Sequence, residues 1–389
     1  MTPFYLLEPS HETGAWAPFA GVRPVAELRA GAWLVRERWE ASVGRPATAV
    51  VSDGLAGFVD VGTAPVVGED AVPGPALVVR SDFIPARAAI AIPEGTRTLL
   101  CGGAVVGFVL AKGESLSSAQ TDGVAFEVAG RWLAGTCDLL LAVEELLPAD
   151  CEEFTLAGSD PVPEGAIVLG DPARLVSLGA RVEPGVVFDL RAGAVVLAEG
   201  SEVRSGTRLE GPVYVGPETV ILGGRIRGSS FGPQCRIHGE VSTSVFVGYA
   251  NKSHDGFVGH SVVGPWVNIG AGTITSNLKN TYGPVRLDLP QGRMETGRTF
   301  VGSLIGDHAK TAIGTTLATG SVIGAGANVF GPGEVSRFVP PFAWGSSGIE
   351  RLNVAGFVRI AQRVMPRRGV EVTPAIEASL RSLHARFSP

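Results

Sequence analysis

Residues 251–280 contain the densest group of side chains that could perform chemistry. His254 and His260 lie six positions apart, and Asn268 and Asn277 follow them. A histidine has a pKa near neutral pH, so it can accept a proton from a reacting group. Asparagine amides can hold a polar ligand by hydrogen bonds. We therefore take this segment as the candidate site.

Each of these residues also has a purely structural interpretation. His254 could be a solvated loop residue, and His260 a structural histidine on a neighbouring face. Asn268 could extend a ladder of side chains along a repetitive fold, and Glu240 could be a plain surface charge. A metal site is a further alternative, because His238, His254 and His260 are numerous enough to ligate zinc.

Aliphatic residues recur at six-residue intervals through the C-terminal half, and a small residue often follows them. The period fits a solenoid in which each side of a triangular coil spans six residues, with the branched side chain inside and the small residue at the corner. Three in-phase runs carry the pattern: Leu197, Val203, Leu209, Val215 and Ile221; Phe257, Val263 and Ile269; Ile305, Thr311, Leu317, Ile323 and Val329.

The repeat divides the chain into four segments. Residues 1–155 read as an α/β domain, with helices expected over 26–39 and 130–147 and a strand over 99–109. Residues 156–180 read as a linker and 181–338 as the parallel β-helix, interrupted near 228–256 and 276–298. Residues 339–389 read as a tail with two helices separated near 366–369.

Composition restricts the function classes. Charged residues are 18% of the 389 residues, and the formal net charge is −6, so no basic face is expected to neutralise a nucleic acid. The four scattered cysteines argue against a disulfide framework. We expect a cytoplasmic protein that does not interact with a membrane, because no signal peptide or membrane span is visible.

The candidate segment resembles the acetyltransferase half of the bacterial bifunctional N-acetylglucosamine-1-phosphate uridylyltransferase/glucosamine-1-phosphate acetyltransferase. The shared sequence is VNIGAGTIT, residues 267–275, followed two positions later by Asn277. In that family a histidine lies fourteen residues before the first asparagine of the motif, and this spacing points to His254. The resemblance implies a left-handed β-helix, a homotrimer with active sites between neighbouring subunits, and acetyl-CoA as cosubstrate.

The same resemblance implies the roles of the site residues. His254 would be the general base that takes a proton from an amine as it attacks the thioester. Glu240, Asn268 and Asn277 would contact the sugar phosphate or the acyl group. Three family positions differ here, at Phe257, Leu278 and Ser242, and Lys252, Lys279 and Arg225 are the substitutes available for contacting a phosphate.

The N-terminal segment resembles sugar nucleotidyltransferases in a reduced form. The sequence VRPVAELRAGAWLVRERW, residues 22–39, corresponds to a family stretch that would place Arg23 and Arg29 at a phosphate. The sequence LVVRSDFIP, residues 77–85, parallels a strand ending in a metal-binding aspartate, here Asp82, which implies Mg²⁺ and a nucleoside triphosphate. The glycine-rich loop that cradles phosphates is absent after the first strand.

The leading hypothesis is therefore an acetyl-CoA-dependent N-acyltransferase acting on an amino-sugar 1-phosphate, with a sugar-1-phosphate nucleotidyltransferase activity as a further expectation for the N-terminal domain. CoA would lie along the outside of the coils near Lys310. The alternatives are a non-catalytic nucleotide-sugar-binding protein and a metal-dependent β-helix enzyme of the carbonic anhydrase type.

Overall fold

The computed structural model describes residues 2–11, 14–119, 123–346 and 348–388. The chain consists of an N-terminal α/β domain, a parallel β-solenoid and a helical C-terminal tail. This order confirms the predicted fold class. No helix in the described ranges is both long and apolar enough to cross a membrane.

Seven strands form a mixed sheet in the N-terminal domain. In spatial order they are Val124–Glu127, Thr96–Cys101, Ala104–Leu110, Ala76–Arg80, Phe4–Leu7, Ala49–Val51 and Val66–Val67. The central strand Phe4–Leu7 is parallel to both of its neighbours. Its residues are apolar without alternation because both faces of the sheet are covered, Phe4 packing on one side and Tyr5 on the other.

Glycines explain why the predicted elements in this domain are shorter in the structure. The expected helix over 26–39 is instead a short 3-10 turn, the hairpin Arg29–Ala30 with Trp33–Leu34, and helix α1, Val35–Val43. Gly31 makes the hairpin turn at φ +69°, where a Cβ would lie 2.3 Å from Asp150. The expected strand over 99–109 is likewise a pair of antiparallel strands, which turn at Gly102 and Gly103.

The expected helix over 130–147 is also divided. Gly130–Trp132 pairs with Phe83–Pro85 as a small antiparallel sheet. Helices α2, Asp138–Glu145, and α3, Leu147–Thr155, follow. Helix α3 lies against the solenoid, where Phe154 contacts Tyr214 with ring centroids 5.7 Å apart.

The solenoid has three strand-bearing faces. The first face comprises Ile167–Leu169, Val187–Asp189, Thr207–Glu210, the second half of Val220–Arg227, Glu240–Ser242, Phe257–Gly259, Ile274–Thr275 and Thr316–Leu317. The second comprises Leu175–Ser177, Val195–Leu197, Val213–Val215, Ser230–Phe231, Val245–Phe246, Val262–Val263, Ser303–Ile305, Ser321–Ile323 and Phe338–Val339. The third comprises Arg181–Val182, Glu202–Val203, the first half of Val220–Arg227, Arg236–His238, Asn251–Lys252, Lys310–Thr311, Asn328–Val329 and Ala343–Trp344.

The six-residue period corresponds to the solenoid core. Leu197, Val203, Leu209, Val215 and Ile221 are all fully buried inside the coils. One member of the predicted runs is out of phase, because Val258 and not Phe257 points into the core. The parallel pairing begins at Ile167–Leu169, within the segment that the sequence predicted as a linker.

Two of the faces are packed against other parts of the chain. Outward side chains of the second face, among them Val196, Val245 and Leu304, belong to the same apolar cluster as the N-terminal core. The hairpin formed by Arg286–Leu289 and Gly292–Glu295, within the predicted interruption 276–298, also joins this contact through Leu287. The first face is not covered in this way, and its outward residues Arg225, Glu240, Ile274 and Thr316 are exposed.

The tail packs on the corner between the second and third faces. Helices α4, Val354–Val364, and α5, Pro374–Arg386, begin at the side-chain caps Asn353 and Thr373. Their apolar residues contact a column of ring side chains on successive coils, Tyr249, Trp266 and His308. These three residues share a positive φ near 60°, which is uncommon for side chains of this size and places the rings in line at the corner.

Candidate functional site

His254 stands exposed at the corner between the third and first faces. The corner can close tightly because Gly256 has φ +130°, and a Cβ there would lie 2.1 Å from the carbonyl oxygen of Thr273 on the next coil. The ring of His254 has no hydrogen-bond partner among the residues that the structure describes. Its nitrogens are therefore available to a ligand.

Lys252 lies beneath this corner and is 1% exposed. Its ammonium donates hydrogen bonds to the carbonyl oxygens of His238, at 2.7 Å, and His254, at 2.9 Å. Burial lowers the pKa of Lys252 to about 8. The side chain was expected to contact a phosphate, but it is directed inward and ties two successive coils together.

Glu240 and Phe257 are register partners on the uncovered first face. Glu240 is exposed, and its carboxylate has no side-chain hydrogen bond within the described residues. Phe257 lies over Gly259, where its ring would be 2.4 Å from an added Cβ. Both residues are on the face that begins at the His254 corner.

Asn277 lies at the other end of the same face. Its amide nitrogen is 2.8 Å from Nδ1 of His260, whose ring stacks on Phe300 with centroids 5.0 Å apart. Burial lowers the pKa of His260 to about 4, so His260 is neutral at pH 7. A neutral ring can accept the amide hydrogen at Nδ1, and His260 therefore orients Asn277, as its structural interpretation anticipated.

Asn268 lies on the third face, and its Oδ1 accepts a hydrogen bond from Asn251 at 2.9 Å. This contact is the ladder that the structural interpretation of Asn268 predicted. Asn268 also lines a cavity beneath the tail. Lys279 lies elsewhere, in the excursion from the coil, where its ammonium donates to the carbonyl oxygen of Pro284 at 2.7 Å.

The predicted site residues therefore do not converge on one pocket within a single chain. His254 and Glu240 flank the first face, Asn277 closes its far end, and Asn268 faces the tail. The three histidines of the metal alternative do not come together either. His238 and His254 lie near one corner on successive coils, but His260 lies at the other end of the first face, and no group of three His, Cys, Asp or Glu residues able to hold a metal occurs in the described ranges.

Arg23 lies in the buried contact between the N-terminal domain and the solenoid. Its guanidinium donates to Asp307 at 2.9 Å and to Asp60, and it lies over the ring of Phe58. Asp60 also accepts a hydrogen bond from the indole of Trp266 at 3.2 Å. Burial raises the pKa of Asp307 to about 6 even though Arg23 opposes the shift. Arg23 is fully engaged by protein carboxylates in this position, where the sequence predicted a phosphate contact.

Arg29 is also buried at the domain contact. It donates to the carbonyl oxygen of Ala32 and lies over the ring of Tyr214 at 5.6 Å. On the solenoid side Arg29 lies against Gly232, where an added Cβ would be 3.2 Å from the Arg29 Nε atom and 1.8 Å from the carbonyl oxygen of Val247 on the next coil. The motif that carries both arginines is thus part of the contact that joins the two domains.

The carboxyl edge of the N-terminal sheet is occupied by internal ion pairs and hydrogen bonds. Asp82, the expected Mg²⁺ ligand, receives two hydrogen bonds from Arg80, at 2.8 and 2.6 Å. Glu8, directly after the first strand, accepts the backbone N–H of Val25 at 3.0 Å and contacts His11. Burial raises the pKa of Glu8. These residues do not fit a metal site, because Asp82 has a cationic partner and the described residues hold no group of three His, Cys, Asp or Glu that could ligate a metal.

Sequence reasoning named Lys310 but missed the three arginines that lie with it beneath the tail. Arg236 and Arg368 approach the cavity from opposite sides, together with Lys310 and Arg367. The adjacent arginines at positions 367 and 368 were the available signal, but their position against a solenoid face depends on tertiary packing. The cavity has a volume of about 390 Å³.

Comparisons with known proteins agree with the two-domain architecture. Residues 5–157 match the family described as Sugar nucleotidyl transferase. A bifunctional sugar-1-phosphate nucleotidylyltransferase/acetyltransferase from Sulfurisphaera tokodaii is 33% identical over 159 residues, which are 38% of this chain and 38% of that protein.

Two further relatives bear the name bifunctional protein GlmU. The Methanococcus vannielii protein is 32% identical over 30% of this chain and 26% of its own length, and the Nitrosospira multiformis protein is 27% identical over 55% and 48%. The matched region thus spans between about a quarter and a half of each relative. The resemblance predicted from the sequence, to the bifunctional sugar-1-phosphate nucleotidyltransferase/acetyltransferases, is confirmed.

Proposed function

We propose that this protein is an acetyl-CoA-dependent N-acyltransferase acting on an amino-sugar 1-phosphate in nucleotide-sugar biosynthesis. The observation that carries the proposal is the position of His254. It is exposed, without a protein partner for its ring, at the edge of the first face, and the VNIGAGTIT segment forms the next coil. The relatives' names, which include acetyltransferase, support the same chemistry.

The reaction needs one base that acts near neutral pH. The amine nitrogen of the acceptor attacks the thioester carbonyl, the nitrogen–carbon bond forms, and the carbon–sulfur bond breaks. His254 takes the proton that the nitrogen loses and returns one to the departing thiolate, so that the products are an amide and CoA. Glu240 pairs in register with Phe257 on the first face, and we assign it the contact with the cationic or hydroxyl groups of the sugar.

A second copy of the chain would complete this site. His254 is exposed in the part of the chain that the structure describes, and the first face is left uncovered by the N-terminal domain and the tail. Exposed apolar residues on and beside this face, Ile274 and Ile313, are 48% and 80% exposed. Packing of neighbouring solenoids along this side, in the homotrimer that the resemblance implies, would bury them and enclose His254.

The test is release of CoA thiol from acetyl-CoA across a panel of amino-sugar 1-phosphates. We expect His254→Ala to lower kcat by at least about 100-fold, the usual contribution of a general base. His238→Gln is the matched control, since His238 occupies the same corner one coil earlier, and it should retain most of the activity. Equal rates in wild type and His254→Ala would contradict the assignment of the base.

A nucleotidyltransferase activity is the second candidate function, because residues 5–157 match that family. It would need a nucleoside triphosphate at the carboxyl edge of the N-terminal sheet, where Glu8 and the Arg80–Asp82 pair lie. If neither activity appears in folded protein, the non-catalytic nucleotide-sugar-binding alternative becomes the better account.

A further inference from the structure

Residues 277–302 leave the solenoid as a ribbon whose two ends lie side by side on the first face. At the base of the ribbon the backbone N–H of Val301 donates to the carbonyl oxygen of Asn277 at 3.0 Å. The backbone N–H of Gly302 donates to the carbonyl oxygen of His260 at 2.7 Å. The returning strand is therefore fixed to the same two residues whose side chains meet at the end of the face.

Phe300 is the residue of the returning strand that touches this pair. Its backbone pairs with Leu278 in an antiparallel bridge. Its ring, 42% exposed, stacks on the ring of His260 with centroids 5.0 Å apart. His260 in turn lies 2.8 Å from the amide nitrogen of Asn277. The orientation of the Asn277 amide thus depends on where the returning strand places Phe300.

Arg298 connects this strand to the N-terminal domain. Two residues before Phe300, its guanidinium donates hydrogen bonds to both carboxylate oxygens of Glu144 in helix α2, at 2.7 Å each. Burial is the main cause that lowers the pKa of His260 to about 4, and among the charged groups that act on this pKa Glu144 raises it and Arg298 lowers it. The ion pair therefore lies within electrostatic reach of the ring that orients Asn277.

The outer part of the ribbon is held by apolar contacts instead. Val285 and Leu287 are buried and belong to the apolar cluster of the N-terminal core. The backbone N–H of Val285 also donates to the carbonyl oxygen of Arg298 at 2.7 Å. The ribbon is thus attached to the solenoid at its base and to the N-terminal domain at its hairpin. Arg298 lies between these two attachments, on the strand that leads back to Phe300.

We propose that Glu144 and Arg298 are positioning residues for Asn277 at the acyl-transfer site. They fix the returning strand so that Phe300 stays against the ring of His260, and that ring keeps the amide of Asn277 in one orientation. The N-terminal domain then contributes to acyl transfer without touching the substrate. The inference rests on the proposed function, in which Asn277 contacts the sugar phosphate or the acyl group.

A purely structural role for the ion pair makes a different prediction. The side chains of Arg298 and Glu144 are 18% and 38% exposed, unlike the buried pairs of Arg23, and partly exposed pairs contribute little to stability. Loss of the pair should therefore leave the free energy of unfolding nearly unchanged and alter the Michaelis constant. Because His254 lies at the opposite end of the first face, kcat should also stay nearly unchanged.

Steady-state kinetics of acetyl transfer from acetyl-CoA to glucosamine 1-phosphate test the inference. We expect Glu144→Gln and Arg298→Gln to raise KM about three- to fivefold for the substrate that Asn277 contacts, the range that loss of a partly exposed ion pair allows. Exchange of the two charges, Glu144→Arg with Arg298→Glu, should restore most of the loss. The matched control is Glu145→Gln, which breaks the neighbouring pair with Arg131 inside the N-terminal domain and should leave both KM values unchanged.

A second readout does not depend on turnover. His260 is one of six histidines, and His260→Gln identifies its ring signals in the NMR spectrum of histidine-labelled protein. Glu144→Gln and Arg298→Gln should both shift these signals, because the ring current of Phe300 acts on its stacked neighbour, whereas Glu145→Gln should not.

The two readouts separate failure of the inference from failure of the proposed function. If wild type transfers no acetyl group but the His260 signals shift as expected, the proposed function fails and the positioning of His260 stands. Unchanged His260 signals in both variants would overturn the inference. So would unchanged KM values in active variants, or a KM change equally large in Glu145→Gln.

Discussion

The carboxyl edge of the N-terminal sheet and the third face of the solenoid are both rich in charged residues, but the charges have different partners. At the sheet edge Asp82 is paired with Arg80, and Glu8 is hydrogen bonded to Val25 and His11. On the solenoid the cations beneath the tail contact only neutral oxygens. Charges that the protein neutralises internally contribute to its stability, whereas unneutralised charges can attract a ligand.

The comparison predicts different consequences of mutation in the two regions. Substitutions in the N-terminal ion pairs should reduce the free energy of unfolding and leave the chemistry of correctly folded protein nearly unchanged. Substitutions of exposed solenoid residues should reduce turnover or binding and leave stability nearly unchanged. His254 belongs to the second class, and Arg23 belongs to the first.

The largest stability effect should follow from Arg23→Met. This change leaves the buried carboxylates of Asp60 and Asp307 without their cation, and we expect the free energy of unfolding to fall by about 3–5 kcal/mol, as for other broken buried pairs. Denaturant titration measures the loss. The loss should be greatest above pH 6, the region in which Asp307 is ionised in the folded protein, and should shrink as falling pH protonates it.

The control for Arg23→Met is Arg225→Met, which removes an exposed arginine paired with Glu210 on the solenoid. A surface pair contributes little, so stability should hardly change. Adding Asp60→Asn and Asp307→Asn to Arg23→Met should recover part of the lost stability. If Arg23→Met and Arg225→Met were equally stable, the N-terminal ion pairs would not hold the domains together.

A smaller effect is expected for Lys252→Met, which tests a charged residue buried within the solenoid itself. The substitution leaves the carbonyl oxygens of His238 and His254 without their donor, and we expect a loss of about 2 kcal/mol in the free energy of unfolding. The matched control is Lys279→Met, which removes a single carbonyl contact from a more accessible lysine.

The pH dependence of Lys252 has a defined sign. Its pKa is about 8 in the folded protein and about 10.4 in an unfolded chain. The unfolded chain therefore holds more protons between these values, so the stability of wild type relative to Lys252→Met should rise across this interval. A flat difference between pH 8 and 10.4 would contradict the buried position of the ammonium group.

The solenoid was predictable from sequence because its core depends on local spacing. A branched residue every sixth position places Leu197, Val203 and Leu209 inside the coil whatever surrounds them. The helix expected over 26–39 was not predictable in this way. Its apolar spacing was helical, but the turn at Gly31 is determined by packing against Asp150, more than a hundred residues away.

The candidate site was predictable only in part, for a related reason. The spacing between His254 and Asn268 identified the corner, and the ladder interpretation of Asn268 agrees with its bond to Asn251. Nothing in the local sequence around Lys252 predicts that its side chain points into the solenoid. The contact that Arg23 makes between the two domains depends on Asp307, a solenoid residue far along the chain. The cavity likewise forms only because the tail packs beside Arg236.

The most direct test of the account is product analysis by mass spectrometry of one reaction that contains the full chain, acetyl-CoA, glucosamine 1-phosphate, a nucleoside triphosphate and Mg²⁺. The account places the acyl transfer in the solenoid, so it predicts the N-acetylated sugar phosphate and free CoA, whether or not a nucleotide sugar also forms. A nucleotide sugar formed without acetylation would contradict it and would place the activity at the N-terminal sheet edge.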